Sequence, residues 1–411
     1  MSTLRRLFGD EADVVRELNF QLVLLAALLV PLGNGLMSPI LDSLIGPFGA
    51  SPASIGLVIS VFLVPSIVIM PVVGVVADRV GRKPIIVGSL VLFGLAGAAI
   101  ALTTDFRVVL GLRFLQGIGW GSLTTLIITA IGDFYSGATE AAAQGLRLSG
   151  SALAASGFSL LAGALVVLAW QWPFLIYLLA LPIAAVVARY LDEPTGEADG
   201  DGAASILDYR ETVGELLGQP RVLLIVVGRM LQISVWIGFT AYNSIIVVRI
   251  LGGTPVQAGL LYAVGTLSMA VGASQVGRAA AVFRNRYRVL IVANATLGLG
   301  FATAALAPAL PLAAVGVAAL GAAHGMAVST YRSLITGFAP ESVRAGLVSL
   351  GEAGARVAAM SAPILMGVII AAYAASVGFT TAVQLGALTV SLLAGGGGIL
   401  LVAVASRMPA V

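Results

Sequence analysis

Long apolar runs alternate with short polar or Pro/Gly-rich turns along almost the whole chain. They fall near 20–45, 54–77, 85–104, 107–131, 141–168 and 172–190, then resume near 221–250, 256–281, 289–308, 311–336, 346–373 and 379–405. A helix rises about 1.5 Å per residue and the hydrocarbon core of a bilayer is ~30 Å thick, so about 20 apolar residues cross it. The pattern predicts an all-α polytopic membrane protein with twelve transmembrane helices in two pseudo-symmetric six-helix bundles. The expected domains are an N-terminal bundle over 1–190, a cytoplasmic linker over 191–220 and a C-terminal bundle over 221–411. The linker contains the acidic, Gly-rich run DEPTGEADGDGAAS at 192–205. Such a composition stays solvated, with a short surface helix expected around 206–217.

Composition agrees. Hydrophobic residues make up 59% of the 411 and charged residues 10%, against roughly 25% charge in a soluble domain. Mean hydropathy is +1.04, and 50 glycines are spread through the apolar runs. Too few polar groups exist to cover the surface, so most of it must face lipid. The chain has no cysteine, which excludes disulfides, thiolate metal sites and a cysteine nucleophile. Its one histidine, His324, argues against a histidine metal site or a catalytic triad. No metal, cofactor or nucleic-acid partner is expected, the net charge being only +3. Arg5, Arg6, Asp10, Glu11, Asp13, Arg16 and Glu17 form a mixed-charge lead. The apolar run behind it, starting near Phe20, outlasts the ~7–15 residues of a signal-peptide core and reads as a retained first span.

Cations set the expected orientation. With the N-terminus inside, the cytoplasmic segments hold Arg5, Arg6, Arg16, Arg79, Arg82, Lys83, Arg189, Arg210, Arg221, Arg278, Arg284, Arg286, Arg288, Arg344 and Arg407. The opposite side shows only Arg107 and Arg249, so both termini are expected in the cytoplasm. The halves also resemble each other. Pro52, Gly56 and Gly74 recur at one spacing as Pro255, Gly259 and Gly277, and Gly117, Gly121 and Phe134 as Gly321, Gly325 and Phe338. After a small gap, Gly145, Leu146 and Gly150 match Gly346, Leu347 and Gly351. Duplicated halves are the two moving bodies of many transporters, with a site between them near the bilayer midplane.

The sharpest motif is Gly74-Val-Val-Ala-Asp78-Arg79-Val-Gly81-Arg82-Lys83-Pro84, between the second and third spans. Gly74 would permit close packing and Gly81 a turn with positive φ. Asp78 could accept from Arg82 or cap a helix N-terminus. The plainer alternative is an ordinary cationic turn at the inner leaflet. The run resembles the major facilitator signature G-x-x-x-D-R-x-G-R-[RK]. That resemblance implies the major facilitator fold and a latch between the halves on the cytoplasmic side, carried by Gly74, Asp78, Arg79, Gly81, Arg82 and Lys83. The second half keeps a worn copy, Gly277, Arg284, Asn285 and Arg286, with Ala281 in place of the aspartate. Asp78 and Glu193 are expected at the same membrane face.

In the fourth span, Arg113-Phe-Leu-Gln116-Gly117-Ile-Gly119-Trp120-Gly121 places an arginine within an apolar run. A bare charge there costs about 2.5–3.5 kcal/mol on insertion scales, so Arg113 should face a polar interior. Gly117 and Gly121 offer a small-x-x-x-small face for a neighbouring helix. The segment resembles the R-x-x-Q-G-x-G element of the family's twelve-span drug/proton antiporters, which implies a part for Arg113 in proton coupling; packing alone is the alternative. In the fifth span that branch carries a Gly-Pro kink, where this chain reads Ser156-Gly157-Phe158-Ser159, without proline. A proline does appear in the related eleventh span, at Pro363.

Buried polar and aromatic groups mark candidates for the substrate path. Asn34 and Met37, ahead of Pro39 and Asp42, resemble the first-span pattern of the same branch. Gln116 and Trp120 lie in the fourth span. Gln232, Trp236, Phe239, Tyr242 and Asn243 follow near-helical spacing in the seventh, a face suited to amphipathic organic compounds; lipid-facing rings are the alternative. Further candidates for proton coupling are Asp42, His324, whose imidazole titrates near neutrality in water, and Glu352. His324 bonded to helix backbone is the plainer reading. Glu352 and Arg356, four apart, are expected to pair along one face.

The leading expectation is a secondary active transporter, a proton-coupled exporter of a small hydrophobic or amphipathic compound, multi-pass in the cell membrane and monomeric. The alternative is a facilitator or proton symporter for uptake of a small organic solute. No nucleotide-binding loop points to ATP. A membrane-embedded enzyme or receptor is the remote reading, since no paired catalytic groups stand out.

Overall fold

The computed structural model describes residues 10–194, 218–338 and 341–408, of which 10–12, 71 and 341–350 are described as backbone only. Arg5, Arg6, Arg210, most of the acidic linker with its expected surface helix, and the side chains of Arg344, Gly346 and Leu347 lie outside the described residues.

Every regular element among the described residues is helical. Eleven helices are long and apolar enough to cross a membrane: Leu18–Gly35, Arg82–Leu102, Phe106–Phe134, Gly137–Leu168, Trp172–Tyr190, Pro220–Ile250, Pro255–Ser274, Arg286–Leu306, Leu310–Phe338, Gly351–Val377 and Phe379–Ser406. A twelfth results if Leu57–Met70 and Val72–Val80, bent by 54°, count as one span. Only a helix satisfies its own backbone in lipid, so the chain spans as helices throughout.

Local chemistry explains the irregular spans. Leu18–Leu29, Leu32–Gly35 and Leu41–Leu44 are separate helical pieces. Pro31 and Pro39 sit at the interruptions, and a proline supplies no backbone N–H. Pro65 precedes Ser66–Val80, where the Ser66 hydroxyl donates to the Leu63 carbonyl at 2.6 Å. The eighth span opens on a capping box between Thr254 and Gln257. It ends at Ser274, and the expected run to 281 continues as a separate short helix, Val276–Phe283.

The chain divides into two compact units, Met1–Ala50 with Val61–Ala198 and Ser51–Ser60 with Asp199–Val411. The first packs Phe48, Trp170 and Phe174 as one aromatic cluster and Phe93 edge-on to Tyr177. The second centres on Val222, Ile225, Leu290, Ala293, Tyr331 and Val402, all buried. Ser51–Ser60 joins it, with Ser60 donating to the Met360 carbonyl at 2.8 Å. Large apolar side chains such as Val68, Leu153, Leu299, Val315, Leu392 and Leu400 point outward. In a membrane those faces meet lipid.

Each unit has a very close helix contact at corresponding positions, and the second has further ones at Gly272 and Gly325. A Cβ on Gly117 would stand 2.1 Å from the Phe62 carbonyl oxygen, and one on Gly321 would stand 2.1 Å from that of Gly265. No side chain fits in either place, so glycine is what lets the fourth span lie on the second and the tenth on the eighth.

Candidate functional site

The turn between the second and third spans is built around Arg82. Gly81 takes φ of 96°, a region that glycine enters without penalty. The third span therefore begins abruptly, with its first N–H groups aimed together. Glu193 receives them, accepting from Arg82 N at 2.5 Å and Lys83 N at 3.2 Å. A carboxylate at a helix N-terminus meets both orphan donors and the positive end of the macrodipole. The Arg82 guanidinium pairs with Asp133 at 2.6 Å and with the more exposed Asp78 at 3.5 Å. The expected Asp78–Arg82 pair forms, but Asp133 is the nearer partner. Glu193 meets the turn that follows Asp78, as the common face required. Arg79 is exposed. Gly74 differs from its expected role: a Cβ there would meet nothing within 4 Å, so no close packing depends on it. In the second unit Arg284 occupies the position of Gly81 and also takes positive φ, 53°, while Asn285 caps the next helix by accepting from Tyr287 N.

A polar core lies deeper in the first unit. Arg113 is fully buried; one guanidinium nitrogen donates to Gln116 Oε1 at 2.6 Å and the other to the Gly33 carbonyl at 2.9 Å. Its central carbon sits 4.0 Å from the Phe62 ring centroid. The charge is thus met by oriented carbonyls and a π face rather than left bare. Trp120 Nε1 donates to the Val30 carbonyl and Tyr177 to that of Leu32, beside the break in the first span. Arg113, Gln116 and Trp120 come together as the fourth-span motif predicts. Asn34 is half-buried beside Gly33, and Met37 is fully buried. Asp42 is half-buried in the piece Leu41–Leu44.

The second unit has its own polar core. Arg229 in the seventh span is 3% exposed and donates to Gln232 Oε1 at 3.2 Å and to both Glu352 oxygens at 3.0 and 3.2 Å. Arg332 of the tenth span reaches the same carboxylate at 3.1 Å. Glu352 therefore takes ion pairs from two other spans, in addition to the charge of Arg356 one turn along its own helix. Gln232 meets His324 Nδ1 at 2.6 Å, and the imidazole stacks on Trp236 with centroids 5.2 Å apart. His324 is thus held by side chains, not by helix backbone. Trp236, Phe239 and Tyr242 are buried, which removes the lipid-facing reading of those rings. Tyr242 reaches the Pro363 carbonyl, and Asn243 donates to that of Ala258 at 2.9 Å. Arg229, Arg332 and Asp133 were not singled out by the sequence, and Glu193 only for its membrane face; their ionic or capping partners lie 20 or more residues away.

The internal duplication exposes an exchange of volume. The register that carries Pro52 onto Pro255 carries Gly33 onto Trp236 and Phe62 onto Gly265, and that which carries Gly117 onto Gly321 carries Trp120 onto His324. In the first unit the Phe62 and Trp120 rings close over Gly33. In the second the bulk comes from Trp236, which lies over Gly265 and stacks on His324. Small and large residues trade places while the helices keep their spacing. Among the described residues no three His, Asp or Glu side chains gather to hold a metal.

Comparison with known proteins supports this architecture. The profile described as Major Facilitator Superfamily matches residues 23–242. A bacillibactin exporter of Bacillus subtilis is 32% identical over 124 residues, 29% of this chain and 31% of that protein. The chain thus spans about a third of the length of the curated relative with that local match. The multidrug resistance protein MdtL of Shigella dysenteriae is 26% identical over 328 residues, 78% of this chain and 81% of its own. Among solved structures, a bacterial homolog of the human lysosomal transporter Spinster, inward-facing and unoccupied, superposes with a TM-score of 0.82 at 16% identity, over 95% of this chain and 98% of that one. At that identity the likeness is one of fold.

Proposed function

Since the chain belongs to the Major Facilitator Superfamily and is a multi-pass membrane transporter rather than an enzyme, we propose that it is a proton-coupled exporter of a small hydrophobic or amphipathic organic compound, working by alternating access. Two six-helix bundles, 1–190 and 221–411, would be joined by a cytoplasmic linker over 191–220, with both termini in the cytoplasm and the monomer as the working unit. The turn around Gly81 serves as the conformational latch. Asp78, Arg79, Arg82 and Lys83 contribute its charges, and Asp133 and Glu193 hold it in shape. Arg113 is the first candidate for coupling, followed by Glu352, His324 and Asp42. Gln116, Trp120, Asn34, Met37, Gln232, Trp236, Tyr242 and Asn243 are the candidates for the substrate path.

The observation that carries this reading is the buried Arg113, fixed by Gln116 and the Gly33 carbonyl at a break in the first span. A cation held there by a movable neighbour can change its surroundings when the span rearranges. The export direction rests on the relatives named bacillibactin exporter and multidrug resistance protein. A proton gradient supplies about 1.4 kcal/mol per pH unit, enough for tenfold accumulation. Proteoliposomes given pH gradients of opposite sign test this: expulsion of a fluorescent drug should follow the gradient and reverse with it. Drug movement indifferent to the gradient would make the protein a facilitator, and co-movement of proton and solute would make it a symporter.

A further inference from the structure

The turn between the eighth and ninth spans is the counterpart of the turn around Gly81, but it has lost the carboxylates. In the first unit Asp133 and Asp78 answer Arg82. The registers that align the halves put Ala281 and Gly337 in their places. The cations have meanwhile increased, from Arg79, Arg82 and Lys83 to Arg278, Arg284, Arg286 and Arg288. All four arginines are exposed. Among the described residues no carboxylate pairs with any of them. Arg278 donates to Gln275 Oε1 at 2.9 Å and Arg286 to Ser333 Oγ at 2.8 Å, both neutral acceptors.

Two further observations indicate which anion belongs there. Val282 lies one helical turn from Arg278 in Val276–Phe283, beyond the end of the eighth span. It is 78% exposed, the most of any large apolar side chain described in the second unit. Arg288 heads a row on the ninth span in which Val292 and Leu299 are also exposed. In a bilayer that face runs from hydrocarbon up to headgroup level, where a guanidinium settles among phosphates. The short helix is only loosely held: none of its residues is buried. A cavity of about 120 Å³ lies between its Val276 and Ala280 and the spans behind, at Val289 and Ser333.

We propose that segment 276–288 docks on anionic phospholipid, its arginines on the lipid phosphates and Val282 dipping below them. A short amphipathic helix binds an interface through this combination of cations and apolar contact. Each arginine near an anionic surface is worth about fivefold in partitioning, so the segment discriminates against zwitterionic lipid. Six acidic residues of the linker, at 197–215 and outside the described residues, are the rival source of charge. They would match the arginines but would not account for Arg288 at the end of a lipid-facing row. The inference rests on the chain's crossing a bilayer, not on its cargo or coupling.

The chain has no cysteine, so Val282→Cys places a single bimane label on the full-length protein. In nanodiscs of phosphatidylcholine the label should stay in water, quenched by acrylamide and not by doxyl-labelled lipid. When phosphatidylglycerol makes up half the lipid, its emission should shift to the blue and the doxyl lipid should quench it. Arg278→Gln with Arg288→Gln should abolish that change, whereas lysine at both positions should keep it, since charge is what the surface reads. Equal doxyl quenching in the two lipids would overturn the proposal, as would quenching that survives both glutamines or is lost equally with both lysines. A label shielded from acrylamide already in phosphatidylcholine, and exposed when the six linker carboxylates become amides, would assign the patch to the linker instead.

Discussion

The two units solve the problem of a buried guanidinium differently. In the first, the contacts of Arg113 described above are with neutral groups: an amide, a backbone carbonyl and an aromatic face. In the second, Arg229 meets the ionised side chain of Glu352. Dipoles hold a cation without changing its protonation, whereas a carboxylate can be protonated and let its partner go. The glycine contacts beneath both cores are matched to a tenth of an ångström, so the difference was introduced into one scaffold, not two. The duplicated frame sets helix spacing, and the side chains laid on it are free to diverge.

Valine at Gly117 or Gly321 is the most severe way to test the shared frame. Each must force two backbones apart and should cost roughly 3 kcal/mol or more, by the usual penalty of overpacking. Thermal melts of the two variants should fall together, and a clear inequality would break the equivalence of the contacts. Next comes the pair of buried arginines. Arg113→Ala strands the Gln116 and Gly33 acceptors, a loss of about 2 kcal/mol, and gradient-driven accumulation should disappear with it. Normal accumulation would reduce Arg113 to a packing role. Arg229→Ala should cost less stability, because Arg332 still holds Glu352; an equal or greater loss in the melt would contradict that.

The latch gives smaller effects. Asp133, nearer to Arg82 and less exposed than Asp78, should matter more to stability. Asp133→Asn is expected to exceed Asp78→Asn by about 1 kcal/mol, the upper range for a partly exposed pair. Asp78→Asn should instead slow turnover while leaving substrate affinity intact, and unchanged turnover at normal expression would remove its part in the latch. The smallest change is at Arg284, a non-glycine residue with φ of 53°. Arg284→Gly should stabilise by about 0.5 kcal/mol, since relief of the left-handed strain outweighs the added freedom of the unfolded chain. A destabilised melt would mean the arginine side chain is needed there.

The spans were legible because a bilayer imposes one length on every crossing, and runs of that length are hard to miss. Arg113 and Gln116 were legible as well, lying three residues apart on one helix face. What the sequence concealed depends on tertiary approach. Glu352 has Arg356 at the favoured local spacing, but its bond to Arg229, 123 residues away, could not be read from that spacing. His324 finds Gln232 at a separation of 92. Glu193 stands at the head of an acidic run, where composition says solvent and geometry says helix cap. Gly74 matched a family pattern whose packing this helix face does not use. The short break after Ser274 had no proline to announce it.

The cap on the third span has a bearing on biogenesis. Its carboxylate comes from a residue 111 positions later in the chain than the amide it serves. During synthesis the third span must enter the bilayer with those amides answered only by water, and the turn closes when the sixth span has followed. Chains halted at residue 190 should therefore be cut readily by protease around Arg82 and Lys83, and chains halted a few residues beyond Glu193 should resist. The first unit would in that way be sealed before the ribosome begins the second.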